Sequence, residues 1–511
     1  MKVHLLFAPT DGGTHPRTLP LGQATLAAFL RANGVAVDQD DVDALVWRDN
    51  RTLARTLHVN LLLLGDRGRV LPYLDGRPDP YLDTLVERMA RKVDVRGADL
   101  IGLSVMEPDQ VLPALCLARH LKGTTGATMM LGGPNVGEET LAAAPYVDYV
   151  VMDEAEISMM GLLEHLEGTR SVEDVPGLVY RDADGAVRLN DRAHLPIEEV
   201  PAPDFSGLPM DVYALDVDGA AVLPLPYQLV KGCPSQCTFC NYYSYNLDGL
   251  RAKSMDKVVS ELARLSDTYG SRHFLFLDNT FNISKRYVRD WCDAVVQEGL
   301  DFLWMDSARP TGLDRSLLDR LRASGCVRFT YGVETGSPRL LKLMRKGFTV
   351  DDAGAVLEAS HDAGIWNLVN IIAGFVSETE EDIALTENFV RAHAHAMDNY
   401  NVLVFIPYRA SVIMQHPEEF GIEAIIENRD VVWDGNRAHI HFDEGGVPWD
   451  RKKEVQERSR QELLAALRTH TPNVSAPAHL LFRGYELFDT KGEIVRWIRE
   501  RPGGPAAEMG W

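Results

Sequence analysis

The hydrophobic residues in the first third of the chain follow two alternating patterns. Short apolar runs of strand length recur at residues 3–8, 99–105, 127–133 and 147–154. Between them lie stretches with apolar residues at helical spacing, and the first such helix has its stop signal at Gly34. Apolar strands that alternate with amphipathic helices predict a parallel, doubly wound, Rossmann-like α/β domain, in which ligands bind beyond the carboxyl ends of the strands.

The same alternation returns in the second half of the chain. Helical segments separate six predicted strands, at residues 227–230, 273–278, 302–308, 327–332, 366–373 and 401–405. Six strands of the βα type suit an open, partial (β/α)6 barrel that resembles part of a TIM barrel. Barrels of this kind carry their chemistry at the carboxyl ends of the strands.

The pattern is looser on both sides of the barrel. Two short strands around the Asp184–Gly185 turn and a proline-rich stretch predict a connector between the two domains. After the barrel, helices and loops predict a small, mainly helical C-terminal domain that covers the barrel mouth and helps to choose the substrate. We therefore expect four parts, at residues 1–168, 169–222, 223–410 and 411–511.

Composition narrows the classes of function. The formal net charge of −22 would repel a phosphate backbone, so it argues against a nucleic acid partner and against an anionic membrane surface. No apolar run is long enough to span a bilayer, and the first residues do not read as a signal peptide, so we expect a cytoplasmic protein. Six cysteines in 511 residues do not form a disulfide framework, which also fits a reducing compartment.

Three of those cysteines lie close together, at Cys233, Cys237 and Cys240, within the stretch KGCPSQCTFCNYY. This spacing can close three thiolates on one metal centre, and thiolates select iron-sulfur clusters or zinc. A structural zinc site needs a fourth ligand, and the sequence has no second C-x2-C or H-x3-5-H pair. His273 or a distant cysteine could supply that ligand, so zinc remains an alternative. Three ligands otherwise leave one coordination position open.

The cysteine stretch resembles the CxxxCxxC hallmark of the radical S-adenosylmethionine (SAM) enzymes, in which an aromatic residue, here Phe239, precedes the last cysteine. In that family the cysteines hold a [4Fe-4S] cluster, whose open iron binds the amino and carboxylate groups of SAM. An electron from the reduced cluster then cleaves SAM to give a 5′-deoxyadenosyl radical. The resemblance implies that Cys233, Cys237 and Cys240 are catalytic cluster ligands. It also implies that an external low-potential electron donor, such as flavodoxin or ferredoxin, reduces the cluster.

The ends of the later barrel strands can be compared with the same family. FLDNTF places Asp278 and Asn279 where the family contacts the amino group of SAM, and SARP places Ser307 and Arg309 near the ribose and the methionine carboxylate. The resemblance implies that these four residues bind SAM. Tyr242 is expected on the substrate side from its position alone.

The resemblance implies a role in SAM binding for three further residues. YGVETGS resembles the family's G-V-E-S-G turn and carries Glu334, a buried charge that needs a partner, either the ammonium of SAM or a local arginine such as Arg328. IIAGFVSET resembles the G-F-P-G-E-T segment near the adenine and carries Gly374, but two residues of that motif are replaced. Phe239 resembles the residue that packs beside the adenine. The alternative for Phe239 is a place in the hydrophobic core.

The N-terminal third resembles the cobalamin-binding domain that precedes the barrel in one large subfamily. The matching segments are PLGQATLAAFLRANG, DLIGLSV, the GGPN turn and VVMDEAE. The resemblance implies that loops at the strand ends hold the corrin, through Thr10, Ser104, Met106, Glu107, Gly132, Gly133, Asn135, Asp153 and Glu154. No D-x-H-x-x-G motif supplies a histidine to the cobalt. The alternative is a domain that keeps the fold and binds no corrin, because Gly-rich loops at strand ends are generic.

The resemblance as a whole implies a cobalamin-dependent radical SAM C-methyltransferase. Such an enzyme transfers a methyl group from methylcobalamin to a carbon of a small metabolite or natural-product intermediate. An enzyme with the same cofactors that catalyses a rearrangement, cyclisation or oxidation is the alternative. Methylthio transfer would need a second cluster with three N-terminal cysteines, and only Cys116 precedes Cys233. A cluster-bearing sensor is disfavoured because no basic surface accompanies the cysteines.

Overall fold

The computed structural model describes residues 1–10, 18–53, 62–240, 249–427, 440–444, 449–471, 474 and 476–501. Tyr242 lies outside these ranges, in the part of the cysteine stretch that follows residue 240. The chain divides into two compact units, one from Met1 to Tyr213 and the other beginning at Ala214. None of the described helices has the length and hydropathy that a membrane crossing requires.

The first unit is built on a seven-stranded sheet. Its strands are β1 (Lys2–Phe7), β2 (Ala36–Asp41), β3 (Leu100–Ser104), β4 (Thr128–Gly132), β5 (Tyr149–Val151), β6 (Leu178–Arg181) and β7 (Val187–Leu189). They pair in the order β2-β1-β3-β4-β5-β6-β7. The strands β1 to β5 are parallel, whereas β6 and β7 are antiparallel additions at one edge.

Helices cover both faces of this sheet, as the alternation of strands and helices predicts. The longer ones are Leu21–Ala32, Val42–Leu53, Arg67–Leu74, Pro80–Ala90, Val111–Thr125 and Glu156–Leu166. In β4, Met129 and Leu131 pack in one hydrophobic core, whereas Met130 between them packs in the other. Successive side chains of the strand therefore point to opposite faces of the sheet, and both faces are covered. The doubly wound α/β fold predicted for this region is therefore confirmed.

The strand β2 was not predicted, because its sequence AVDQDD reads as polar. It is an edge strand whose buried polar side chains bind the chain that returns from residues 204–213. Gln39 Nε2 donates to the carbonyl oxygens of Asp204 and Ser206, and Asp41 accepts a hydrogen bond from the Tyr213 hydroxyl. The first compact unit thus extends past the predicted boundary at residue 168, and the finer division into four parts stays a prediction.

The second unit contains a six-stranded parallel sheet. Its strands, in spatial and sequence order, are β10 (Pro224–Tyr227), β13 (His273–Phe276), β14 (Leu303–Ala308), β15 (Cys326–Glu334), β16 (Trp366–Ala373) and β17 (Asn399–Val404). Within the described residues β10 and β17 are the two edges of this sheet, so the barrel is open. The predicted partial barrel is confirmed.

Short antiparallel pairs accompany this sheet. They are β8 (Leu215–Val217) with β9 (Ala220–Val222), β11 (Val230–Lys231) with β12 (Arg251–Ala252), and β18 (Ile422–Glu427) with β19 (Ile440–Glu444). The prediction of a first barrel strand at residues 227–230 was wrong by three residues. Pro224 and Pro226 argue against a central strand, but β10 is an edge strand, where proline is tolerated.

The helices of the second unit follow the predicted order. They are Met255–Tyr269, Lys285–Gln297, Arg315–Ala323, Pro338–Leu343, Val350–Asp362, Glu380–His393, Val412–Gln415, Trp449–His470, Ala478–Leu487 and Lys491–Glu500. The last two pack against residues at the amino-terminal ends of the strands, such as Val327 and Trp366. They therefore pack at the end of the barrel opposite the mouth, and a covering of the mouth by the C-terminal segment stays a prediction.

Candidate cluster and cofactor sites

The cysteine loop follows β11 and is held by its most buried residue. Thr238 donates from its backbone N–H to the carbonyl of Met344 and from its hydroxyl to the carbonyl of Leu343, both over 3.1 Å. Its own carbonyl accepts the N–H of Ile413 over 3.0 Å. The anchor lies between the second and third cysteines. The three thiols flank it; they are half-buried and form no disulfide.

The spacing of the sulfur atoms bears on the zinc alternative. Among the described residues, the groups of three metal-ligand atoms that lie within 4.8 Å of one another do not include Cys233, Cys237 and Cys240. Zn–S bonds of about 2.3 Å would bring the thiolates on one tetrahedral zinc to within about 4 Å of each other. The three sulfur atoms therefore form no preassembled site for a single ion, and zinc and an iron-sulfur cluster both stay open at this point.

Arg309 lies against the second of these cysteines. Its Nη1 is 3.8 Å from Cys237 Sγ, and its Nη2 donates to the carbonyl of Lys346. Asn282 fixes the backbone of Arg309 by accepting its N–H and donating to its carbonyl, both over 2.9 Å. The residue predicted to bind the carboxylate of SAM thus also touches the candidate cluster.

Glu334 stands at the end of β15 with an unusual backbone, at φ +70°. Its partner is Lys346, whose Nζ lies 3.1 Å from Glu334 Oε1, with both side chains nearly buried. Gly332 makes room for the pair, because a Cβ there would lie 2.6 Å from that oxygen. The suggested partner Arg328 was wrong, because six residues of strand place it about 20 Å away.

Asp278 and Asn279 fasten the segment that leads into the cysteine loop. Asp278 Oδ1 accepts the N–H groups of Leu229 and Val230, each over 3.0 Å. Asn279 Nδ2 donates to the carbonyl of Gly232 over 3.2 Å. Burial raises the pKa of Asp278 to about 7. Both predicted SAM contacts therefore also hold the loop that carries the cysteines.

Ser307, the other predicted contact after β14, is half-buried. Its N–H donates to Asp306 Oδ1 over 2.7 Å, and its carbonyl accepts the N–H of Phe281 over 2.8 Å. The hydroxyl is the part of Ser307 that these backbone contacts leave for a ligand.

Phe239 and Gly374 lie in packed surroundings. The Phe239 ring is half-buried and meets Phe375 edge to face at 6.2 Å within a hydrophobic cluster, so it fills a core position and keeps one exposed side. Gly374 has φ +73°, and a Cβ there would lie 2.2 Å from Gln456 Cγ. Its carbonyl accepts from Gln456 Nε2, and its N–H donates to Glu378. The helix Trp449–His470 therefore covers Gly374, the residue predicted to contact adenine.

The structure brings the predicted corrin contacts to one edge of the first unit, at the carboxyl ends of β1, β3, β4 and β5. Gln110 organises the loop after β3, since its Oε1 accepts the N–H groups of Met106 and Glu107 over 2.8 and 2.9 Å and its Nε2 donates to Ala8. Asn135 Nδ2 donates to the carbonyl of Met106. Met106 itself is 46% exposed at this edge, which suits contact with a flat apolar ligand.

Glycines let neighbouring loops at this edge approach closely. Gly133 has φ +121°, and a Cβ there would lie 2.2 Å from the Val105 carbonyl oxygen. Backbone hydrogen bonds join each loop to the end of the neighbouring strand. Ala8, after β1, donates its N–H to the carbonyl of Ser104 in β3, and Val105, after β3, donates its N–H to the carbonyl of Gly132 in β4. The neighbouring loops at this edge therefore pack closely, backbone against backbone.

Thr10 is held by Asp43, whose Oδ1 accepts both the N–H and the hydroxyl of Thr10, over 2.9 and 3.0 Å. Burial raises the pKa of Asp43 to about 6. The contact therefore shapes the loop after β1.

Asp153 and Glu154, after β5, lie beside the connector. Asp153 has φ +72°, and its Oδ2 lies 2.8 Å from His194 Nε2 and 3.6 Å from Arg192 Nη1. Its carboxylate is therefore engaged within the protein. Glu154 is half-buried next to it, and its carboxylate lies within 4.8 Å of ligand atoms of both Asp153 and His194.

Sequence reasoning missed Lys346, Asp306 and Gln110. Gln110 had a local signal, since Glu107 and Gln110 form a capping box at the start of a helix. Lys346 reaches Glu334 across the fold, and no spacing along the chain marks that pair. Asp306 accepts the N–H of the next residue, Ser307, and stands in none of the motifs.

The comparisons with known proteins concern both units. The model of the radical SAM superfamily matches residues 227–390. An uncharacterized methyltransferase of Pyrococcus horikoshii is 28% identical over 76% of this chain and 78% of its own length. The anaerobic magnesium-protoporphyrin IX monomethyl ester cyclase of Rubrivivax gelatinosus is 24% identical over 65% of this chain. The cytidylyl-2-hydroxyethylphosphonate methyltransferase of Streptomyces wedmorensis is 26% identical over 53%. The matches span 61% and 56% of those last two proteins.

Two solved structures share the fold over nearly the whole chain. OxsB, a cobalamin-dependent SAM radical enzyme with aqua-cobalamin and SAM bound, aligns with a TM-score of 0.66 and 15% identity over 98% of this chain and 74% of its own. The radical SAM methyltransferase TsrM from Kitasatospora setae, with cobalamin and a [4Fe-4S] cluster bound, aligns with a TM-score of 0.65 and 17% identity over 98% and 99%. The likeness covers the Rossmann-like unit as well as the barrel.

Proposed function

We propose, from the premise that residues 227–390 are a radical SAM domain within the fold of cobalamin-dependent radical SAM enzymes, that this protein is a cobalamin-dependent radical SAM C-methyltransferase. The observation that carries the proposal is the loop of three half-buried cysteines, Cys233, Cys237 and Cys240, which form no disulfide and lie at a barrel mouth. A [4Fe-4S] cluster on these cysteines supplies the one-electron chemistry that cleaves SAM, which side chains cannot perform.

The chain's own residues would bind and orient SAM around that loop. Arg309, already beside Cys237, offers its guanidinium to the carboxylate of SAM. Asn279, Ser307 and Glu334 surround the same mouth. Lys346 keeps the Glu334 carboxylate paired until a ligand reaches it. The positioning of SAM and the exclusion of water are the protein's contribution to the reaction.

The edge of the first unit would hold cobalamin. The exposed Met106, the Gly133 turn and the backbone at Ser104 and Gly132 lie at the carboxyl ends of parallel strands, where sheets of this kind bind their ligands. OxsB and TsrM, which share this fold, bind cobalamin. A degenerate domain without a corrin remains the alternative for this unit.

The substrate would be a small metabolite or natural-product intermediate, methylated at a carbon atom. TsrM has been solved with tryptophan as its substrate, and the Streptomyces wedmorensis relative is named for methylation of a small nucleotide conjugate. An external low-potential donor such as flavodoxin or ferredoxin would reduce the cluster. The acidic net charge of −22 argues against nucleic acid as the partner, and the protein would work in the cytoplasm.

A second function keeps both cofactors but involves no methyl transfer. The Rubrivivax gelatinosus relative, a cyclase, favours this candidate. In that reaction SAM would be consumed only as the radical source. S-adenosylhomocysteine would then not accumulate, which separates the two functions by one product.

The cysteine loop is tested by Cys237→Ala in protein reconstituted anaerobically with iron and sulfide. The variant should lose about four irons per chain and all formation of 5′-deoxyadenosine, because two thiolates do not retain the cluster. Cys292→Ala is the matched control, since Cys292 is buried in the helix Lys285–Gln297 and should leave iron content and SAM cleavage unchanged. Persistence of 5′-deoxyadenosine in the Cys237 variant would overturn the proposal.

A further inference from the structure

The inner face of the barrel sheet can be told from its outer face along β15 and β16, where buried and partly exposed residues alternate. Tyr331 belongs to the buried set, and its hydroxyl donates to Ser360 on the helix Val350–Asp362 over 3.1 Å. Asn367, also buried, donates from Nδ2 to the Leu357 carbonyl on the same helix over 2.8 Å. The buried set therefore faces the surrounding helices, and the partly exposed set faces the barrel interior.

Arg328 belongs to the set that faces the interior. It is in register with Met305 of β14 and Trp366 of β16, which are each 1% exposed. These two residues pack against the last two helices, at the amino-terminal end of the barrel. Arg328 thus lies inside the barrel, next to an apolar floor.

The guanidinium of Arg328 has no counter-charge from the protein. Its Nε is buried and has no hydrogen-bond partner, and Arg328 takes part in no ion pair within the described part of the chain. Burial lowers the pKa of Arg328 to about 10, so the side chain still carries its charge at neutral pH. Buried charges in proteins are paired as a rule, because an unpaired one costs free energy. The partial exposure of Arg328 leaves it open to an anion that enters the barrel.

SAM does not supply that anion in the arrangement proposed above. Its single carboxylate is assigned to Arg309, beside Cys237 at the mouth. Arg328 lies six residues before Glu334 on β15, which is about 20 Å along an extended strand. A SAM molecule bound at the cluster therefore leaves Arg328 to a second molecule in the barrel.

We propose that Arg328 binds an oxyanion of the substrate, a carboxylate or a phosphate, at the floor of the barrel, and that the substrate is therefore an anionic small molecule. The inference deepens the proposed function and rests on it for the identity of the second molecule. A guanidinium can donate two parallel hydrogen bonds to either kind of group. With the charged end at the floor, the end of the substrate that reacts is the one nearer the cluster.

Thr330 marks the level at which substrate and SAM would meet. It is the next residue of β15 that faces the interior, and it is in register with Ser307, a predicted SAM contact. Its hydroxyl can donate to the substrate between the charged end and the reacting end.

Arg328→Met tests anion binding without an assumed substrate. The thermal midpoint of the reconstituted full-length protein is measured in sodium phosphate, sodium acetate and sodium chloride at equal ionic strength. In chloride the variant should melt at least about 2 °C above wild type, because a buried unpaired charge has been removed. Phosphate or acetate should raise the wild-type midpoint more than that of the variant, whose own rise measures the general effect of the salt. The salt with the larger excess identifies the oxyanion.

Two further variants complete this comparison. Arg286→Met is the matched control, because its side chain is 91% exposed, and its midpoints should follow wild type in all three salts. Arg328→Lys keeps the charge but loses the planar fork, so it should retain part of the excess. With a substrate found by turnover, Arg328→Met should lower kcat/KM by at least about 30-fold, and Arg328→Lys should recover part of that loss.

The inference fails if wild type and Arg328→Met show equal rises in phosphate and in acetate. A variant that melts below wild type in chloride would also overturn it, because Arg328 would then be a structural support. Wild-type turnover by Arg328→Met would do the same. A protein that holds no cluster or does not cleave SAM would instead overturn the proposed function, and the thermal comparison would still decide whether the barrel binds an anion.

Discussion

Glu334 combines a left-handed backbone with a carboxylate that is 8% exposed, and each feature costs free energy on its own. A non-glycine residue held at positive φ costs about 1–3 kcal/mol and persists only where its surroundings enforce it. Here the surroundings are Lys346, which pairs the charge, and Gly332, which leaves the space. A conformation that costs this much at the mouth of a barrel is typical of a residue kept for binding.

The ion pair gives the first prediction at this scale. Lys346→Met should lower the free energy of unfolding by about 3–5 kcal/mol, because it leaves the Glu334 carboxylate buried and unpaired. The double variant Glu334→Gln with Lys346→Met has no such charge and should recover part of that loss. Urea unfolding of the three proteins measures both values. A double variant no more stable than the Lys346 variant would contradict this explanation.

Single residues show where sequence reasoning stopped. The motif residues were found because short segments of the chain resemble a family, as FLDNTF does for Asp278. Their protein partners were not found, because a partner such as Lys346 reaches Glu334 across a helix. Arg328 was suggested because it is close to Glu334 in sequence. In an extended strand, however, residues that are close in sequence are far apart in space.

At the scale of elements, the edge of the first unit depends on glycine where two loops meet. The N–H of Val105 donates to Gly132, and the Val105 carbonyl leaves no space for a side chain at Gly133. The loops after β3 and β4 are therefore packed as one surface, and this surface is the proposed corrin site.

The second prediction follows from that packing. Gly133→Ala would force the loops apart, so cobalamin binding should fall by at least about 10-fold, while iron content at the cysteine loop stays unchanged. Gly126→Ala is the matched control, because Gly126 also has positive φ but has open space around it. Cobalamin retained after gel filtration and iron per chain measure the two effects. Equal cobalamin retention in both variants would count against the proposed edge.

Most elements could be predicted from hydrophobic pattern, and the misses have physical reasons. The strand β16 lies where its apolar run predicts it, at Trp366–Ala373. The strand β2 was missed because Gln39 and Asp41 are buried through hydrogen bonds rather than through apolar contact. The last two helices belong to the C-terminal segment that was expected to cover the barrel mouth, but their apolar residues pack at the opposite end of the sheet. Hydrophobic periodicity does not reveal which end of a barrel a helix covers.

At the scale of the whole molecule, two α/β units share one chain, and each places its candidate residues at the carboxyl ends of parallel strands. The fold expected from the sequence is confirmed by the likeness to OxsB and TsrM, and the radical SAM model matches residues 227–390 of the expected barrel. The cofactors expected from the sequence are those that these two structures hold. The relatives include methyltransferases and a cyclase, so methylation of a carbon atom is the part that experiment must decide.

Anaerobic turnover with SAM carrying a deuterated methyl group tests this central claim most directly. Reconstituted protein with cobalamin, a reductant and candidate small-molecule substrates is followed by mass spectrometry. The account predicts 5′-deoxyadenosine, S-adenosylhomocysteine and a product heavier by one labelled methyl group, in equal amounts. Formation of 5′-deoxyadenosine with a converted substrate, but without S-adenosylhomocysteine or label in the product, would contradict it.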